Sequence, residues 1–153
     1  KKLDLAKVFN AIIFFCKGGV LKTKLNKLLF YADCRNFKDH ALSITGARYA
    51  RIPFGPAPDK YAYYFATLLD EGAIRAEEIP YSEEAVGEKF IAEKEPELSL
   101  FSDSEIKVLA TVKEHFKKFT AKKITDFSHE EKGYGETPTG KLISYAYAEH
   151  LNF

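Results

Sequence analysis

The chain has 153 residues, 46% of them hydrophobic and 29% charged, with a formal net charge of +1. A domain of that size and composition buries about 68–70% of its unfolded surface, and so small a net charge gives no general reason to expect nucleic acid or an anionic membrane as partner. The longest apolar run, Ala11 to Cys16, is far too short to span a bilayer or to form a secretory leader, and Cys16 and Cys34 fit no metal-ligand spacing, which points to a reduced, cytoplasmic protein with thiols acting as small core hydrophobes.

Leu5, Val8, Phe9, Ile12, Ile13 and Cys16 fall at helical spacing and predict a first helix, stopped at Gly18-Gly19. A second helix is expected from a Thr23 cap to about His40, with Leu25, Leu28, Leu29 and Ala32 on its buried side. Residues 43–52 read as β-like, with Tyr49 and Ile52 packing on the helices. Pro53, Pro56 and Pro58 then argue against any regular ladder or helix. Tyr61, Tyr64, Phe65, Leu68 and Leu69 repeat the helical spacing, closed by Gly72. "AIRAEEIPY" and "GEKFIAEKE" predict an acidic, half-exposed hairpin with a polar turn at residues 82–87.

"FSDSEI" is a capping box of Ser102 and Glu105, with Phe101 and Ile106 as its staple, opening a helix to about Lys118. Thr120 caps a fifth helix. Ser128 and Glu131 read as a second capping box, opening a short turn that Gly133 and Gly135 interrupt. The tail "LISYAYAEHL" is expected to form a strand leading into a last helical turn. The result is one α+β domain over residues 1–153, mainly helical, with five or six helices, a small β-hairpin and a winged-helix-like order in its N-terminal part.

No catalytic set is visible. "SHEEK" lacks the second histidine of H-E-x-x-H, since Gly133 stands four residues after His129. Neither a nucleophile elbow nor a phosphate-binding loop is present, and Asp4, Asp33, Asp59 and Asp126 read as solvated or capping. The expectation is no enzyme activity, no cofactor and no metal. Charge is distributed unevenly: residues 1–60 carry a net +8, residues 61–105 a net −9 and the rest +2. In a winged helix the third helix enters the DNA groove and needs cations. Here "DKYAYYFATLLDEG" has one lysine against three acids, and only the second helix, with Lys22, Lys24, Lys27, Arg35 and Lys38, is basic. DNA binding is therefore expected to be weak or absent, a small winged-helix regulator being the alternative reading.

Three stretches, "TKLNKLLFYADCRNF", "SITGARYARIPFGPAPDKY" and "ITDFSHEEKGYGET", together resemble the Panacea domain of SocA-like antitoxins, a family also met among phage-associated proteins. The family pattern K-L-N-K-L-L-F-Y-A-D falls on residues 24–33, I-T-G-x-x-Y with its G-P-V-P-like turn on residues 44–58, and S-H-E-E on residues 128–131. The chain departs from it at Cys34, at Ala57 and at Gly133-Tyr134, where an aromatic, a valine and a nearby tryptophan are usual. The resemblance implies an antitoxin that binds and neutralises a cognate toxin protein, in at least one branch by handing it to a protease or its adaptor-binding domain. No membrane contact is implied, and the oligomeric state is left open. Prolines preorganise an exposed "RIPFGPAP" for contact, and Arg and aromatic residues are frequent interface anchors. The candidate partner-binding residues are Arg48, Arg51, Phe54, Pro56, Asp59, His129 and Tyr134.

Overall fold

A computed structural model describes residues 1–80 and 86–153; residues 82–85 of the expected hairpin turn lie outside the described residues. Helix α1 (Leu5–Cys16) is capped by Asp4, whose carboxylate accepts from the Lys7 N–H at 3.1 Å. The chain leaves it through Gly18 and Gly19 at φ +81° and +88°, a region that favours glycine. Strand β1 (Val20–Leu21) pairs with a later strand and runs directly into α2 (Lys22–His40). Leu21 therefore occupies the cap position with no side-chain bond, and Thr23, expected as the cap, lies inside the first turn.

Helix α2 is the axis of the molecule. It packs against α1, both hairpins, the later helices and the C-terminal turn, so it is buried on more than the one side its periodicity predicts. Asn26, Lys27, Asp33 and Asn36 are buried along with the apolar residues. Its positive charges are engaged within the fold. Lys24 Nζ donates to the Phe119 carbonyl at 2.8 Å, and Lys38 Nζ donates to the Leu151 carbonyl at 3.1 Å. Lys22 pairs with Glu88 and Arg35 with Asp39, at 3.5 and 3.0 Å. The basic helix is an internal strut.

Strands β2 (Tyr49–Ile52) and β3 (Gly55–Pro58) form an antiparallel ladder in the register Tyr49↔Pro58 to Ile52↔Gly55. This corrects the expectation that the prolines forbid one. Donors along a strand alternate sides, so Pro56 and Pro58 place their missing N–H groups on the edge away from β2. On the other side of β2, the Gly140 N–H donates to the Arg51 carbonyl at 2.7 Å and the Ile143 N–H to the Tyr49 carbonyl at 2.8 Å. The strand expected in the tail is reduced to this bridge, Ala50↔Leu142, followed by a 3₁₀ turn over Tyr145–His150.

Helix α3 (Tyr61–Asp70) leads into β4 (Ile74–Pro80) and β5 (Val86–Ala92), and the sheet order is β1-β5-β4. That is the element and sheet order of a winged helix, with the β2–β3 hairpin inserted between α2 and α3. Helix α4 (Asp103–His115) opens on the expected capping box, with bonds of 3.1 and 2.9 Å between Ser102 and Glu105. Helix α5 (Ala121–His129) is capped by Thr120, and α6 (Lys132–Glu136) is a single short turn. The second capping box is not formed. Ser128 lies inside α5, where its hydroxyl donates to the Thr125 carbonyl at 2.8 Å, and Glu131 turns its carboxylate inward. The fold is α+β and mainly helical, with six α-helices among the described residues.

Candidate partner-binding site

The three stretches singled out in the sequence meet in the interior. Asp33, 1% exposed, accepts from the Ile44 and Thr45 N–H groups at 2.8 Å each, and from the Thr45 and Tyr49 hydroxyls at 2.6 Å each. This locks the loop after α2 onto the helix. Burial pushes the Asp33 carboxyl up, and the four donors pull it back. Its reading as a solvated or capping aspartate is corrected: an acceptor for two adjacent backbone donors has no local sequence signal, because those donors lie in a different stretch. Glu131 likewise accepts from the Tyr31 hydroxyl at 2.8 Å and the Asn152 N–H at 3.0 Å, and burial raises its pKa. Lys27, 2% exposed, donates to the Thr23 carbonyl at 3.0 Å, and desolvation lowers its pKa to about 8. Its stem and the Ser128 hydroxyl lie directly beneath Gly55, where an added Cβ would come within 2.5 and 2.9 Å of them.

These anchors hold the β2–β3 turn rigidly. Pro53 and Phe54 form the two-residue connection, and Gly55 has φ +117°, a conformation that L side chains rarely adopt. The Tyr134 hydroxyl donates to the Ile52 carbonyl at 2.6 Å. Phe54 stands at the tip, 68% exposed, the most exposed of the large apolar side chains among the described residues. Beside it lies an open cleft of about 390 Å³ lined by Arg51, Pro53, His129, Tyr134, Gly135 and Thr139. The His129 ring stacks on Tyr134 at 4.7 Å and 15°, and the Arg51 guanidinium sits over the same ring at 4.6 Å.

The candidate residues thus divide into three groups. Arg51, Phe54 and His129 come together around the turn, with Tyr134 as their largely buried support. Pro56 is buried within the ladder and has no face to offer a partner. Its preorganising effect stays in the backbone. Arg48 and Asp59 lie at the opposite end of the hairpin, where the Asp59 N–H donates to the Arg48 carbonyl at 2.8 Å. There they line a second cleft, of about 380 Å³, with Lys1, Lys2, Lys60 and Tyr64. Sequence reasoning missed Asp33, Lys27 and Glu131, which do not touch a partner but decide how the turn is presented.

Little else in the molecule suggests chemistry. Among the described residues no group of three or more His, Cys, Asp or Glu side chains could hold a metal ion, and no helix is long and apolar enough to cross a membrane. Both cysteines are buried and free, and burial pushes the Cys16 thiol up to about 12, which leaves it unreactive. Helix α3 carries no Lys, Arg or His between Tyr61 and Asp70, and Arg75 of the acidic hairpin is engaged by Glu77 and Glu93.

Fold and site therefore define a helical scaffold of winged-helix order that presents a clamped aromatic turn instead of a cationic reading helix. The chain belongs to the family described as antitoxin SocA-like, Panacea domain, whose profile matches residues 25–134. Comparison with curated proteins and with solved structures finds no match. The matched span contains all three interior anchors, Lys27, Asp33 and Glu131.

Proposed function

We propose that this protein is an antitoxin that binds a cognate toxin protein and neutralises it, with the face around Pro53 and Phe54 as the contact surface. Membership of the antitoxin family supports a protein partner. The observation that carries the surface is Phe54, 68% exposed at the tip of a turn held at Ile52 by Tyr134 and packed at Gly55 against Lys27 and Ser128. A rigid loop loses little entropy on binding, and exposed aromatics and arginines are the side chains that most often anchor interfaces. Direct occlusion of the toxin needs no further component, and delivery to a protease is the alternative mode.

The test is co-expression with the toxin encoded beside it. Wild-type protein restores growth, and toxin that stays abundant while inhibited indicates occlusion, whereas toxin that disappears in a protease-dependent way indicates delivery. Continued growth arrest in the presence of folded protein would count against the antitoxin reading. The winged-helix order favours a second reading, DNA binding, but the reading helix offers only Lys60, at its N-cap, to contact phosphate or base edges. Promoter binding that survives physiological salt would reverse that order of preference.

A further inference from the structure

Arg51 is held from one side only. Its Nη1 donates to the carbonyls of Tyr134 and Thr137, both at 3.0 Å, and to that of Gly135 at 3.4 Å. Carbonyl oxygens orient a guanidinium without cancelling its charge. Lys7, Lys17, Lys22, Arg35 and Arg75 each have a carboxylate partner, whereas Arg51 has none among the described residues. Its Nε and Nη2 have no protein partner and are not among the buried unpartnered atoms, so this edge opens to solvent at the cleft. His129 shows the same asymmetry: Nε2 is covered and unpartnered, while Nδ1 is not covered.

We infer that the cleft is a receptor for a single carboxylate: an aspartate or glutamate side chain of the toxin, taken by the free Nε–Nη2 edge of Arg51. This rests on the turn being the partner face. Two parallel N–H···O bonds match the guanidinium fork to a carboxylate, and the ring of Tyr134 fixes the fork before the partner arrives. His129 forms the wall of the cleft, and Phe54 on its rim covers an apolar residue next to the bound acid. A nucleic-acid backbone fits less well. Polyanion binding depends on several cations acting together, and only Arg51 and His129 among the cleft's lining residues carry or can carry positive charge.

The experiment titrates the whole protein with 3-phenylpropanoate, its neutral amide and phenyl phosphate, following by NMR the Arg51 Nε–H resonance and the backbone amide of Tyr134 in the cleft, which reports in wild type and Arg51→Lys alike. The carboxylate is expected to give saturable shifts in the millimolar range, with the amide weaker by about fivefold or more. Arg51→Lys keeps the charge but loses the fork, and is expected to weaken the response by about threefold or more. Equal response to the amide, tighter binding of phenyl phosphate, or an unchanged response in Arg51→Lys would each overturn the inference. The wild-type comparison of acid with amide decides the matter even if the variant fails to fold. Co-expression separates the two proposals. Full neutralisation by a folded Arg51→Glu protein, whose carboxylate would repel the incoming acid, would overturn the carboxylate receptor and leave the antitoxin reading standing. A wild-type protein that fails to neutralise would overturn the antitoxin reading, and the titration would still decide the receptor.

Discussion

Tyr49 and Phe54 lie five residues apart on one hairpin, yet the first is 3% exposed and the second 68%. Both are large aromatics, and their neighbours give them opposite roles. The Tyr49 hydroxyl donates to Asp33 at 2.6 Å and to the Leu29 carbonyl at 2.9 Å, and its ring packs on Phe30 and Tyr145. Phe54 is displayed on a turn that Tyr134, Gly55 and Lys27 support from below. The difference teaches that presentation here depends on burial elsewhere. A two-stranded ribbon is marginal on its own, and this one is held rigid by a polar seam to α2 and by pairing with the C-terminal segment.

The strongest way to break that comparison is at its buried end. Asp33→Ala leaves two backbone N–H groups and two hydroxyls without their acceptor, and an unsatisfied buried group costs about 1–3 kcal/mol. Because the hydroxyls can turn to other partners, the expected loss is on the order of 4 kcal/mol in urea denaturation at neutral pH. A loss under about 1 kcal/mol would show that the seam does not hold the hairpin. Gly55→Ala attacks the same support from the turn. A strained backbone position costs about 1–3 kcal/mol, and here the new methyl also meets Lys27 and Ser128. A loss of about 2 kcal/mol is expected, with weakened toxin binding because the tip is displaced. Retained stability together with retained binding would show that the turn tolerates movement.

Lys27→Met sharpens the comparison through pH. The lysine's pKa is lowered to about 8 in the fold from 10.5. Below pH 8 both states hold the proton and the desolvation penalty is complete. Between about pH 8 and 10.5 the unfolded chain binds more protons, so stability rises with pH. Cys16 and Cys34 act oppositely from about pH 8.5, and Tyr31, Tyr49 and Tyr145 from about pH 10, since burial raises the pKa values of all five and the folded chain then holds more protons than the unfolded one. The difference between the two proteins isolates this lysine: the stability of wild type relative to Lys27→Met is expected to rise between about pH 8 and 10.5. Replacing a buried charge with an apolar side chain is often neutral or stabilising by about 1–4 kcal/mol, so the variant is expected to be about 1–2 kcal/mol more stable at pH 7. A difference that stays constant with pH would place the titrating group elsewhere.

The smallest stability effect belongs to the exposed end. Phe54→Ala is expected to change folding stability by no more than about 0.5 kcal/mol, while toxin binding measured by calorimetry falls by about thirtyfold, the loss of roughly 2 kcal/mol typical of an interface hot spot. A large drop in melting temperature would show that the ring contributes to the core. Unchanged affinity would move the search for a contact surface to the cleft around Arg48 and Asp59.

Much of the candidate site was legible because its signals are local. A turn of prolines and glycine between bulky residues marks a stiff connection, and Arg51 and Phe54 stand within it. His129 and Tyr134 stand in the same set of candidates, but only the fold brings their side chains to the turn, since α5 and α6 reach it through the packing of α5 against α2 and β3. Pro56 and Arg48 illustrate the converse. Proximity in sequence placed both with Phe54, but β3 is buried along its whole length, which hides one, and the hairpin's length carries the other to the far end.

The sequence by itself determined the elements whose causes lie within a few residues: the Thr120 cap, the Ser102–Glu105 box, the periodic faces of α1 and α3 and the winged-helix order. These follow from spacing and from backbone donors that neighbouring side chains satisfy. Only the tertiary structure decided which polar residues go inside. Asp33 and Glu131 look like surface residues of helices or caps, and they are buried because donors brought from distant stretches compensate the loss of water, whereas Lys27 is covered by packing beneath Gly55 and keeps only the Thr23 carbonyl of its own helix as acceptor. It likewise decided that the prolines of β3 join a ladder, since whether a missing N–H matters depends on which side the partner strand lies. Pairing of that kind belongs to two segments at once, and neither segment contains it alone.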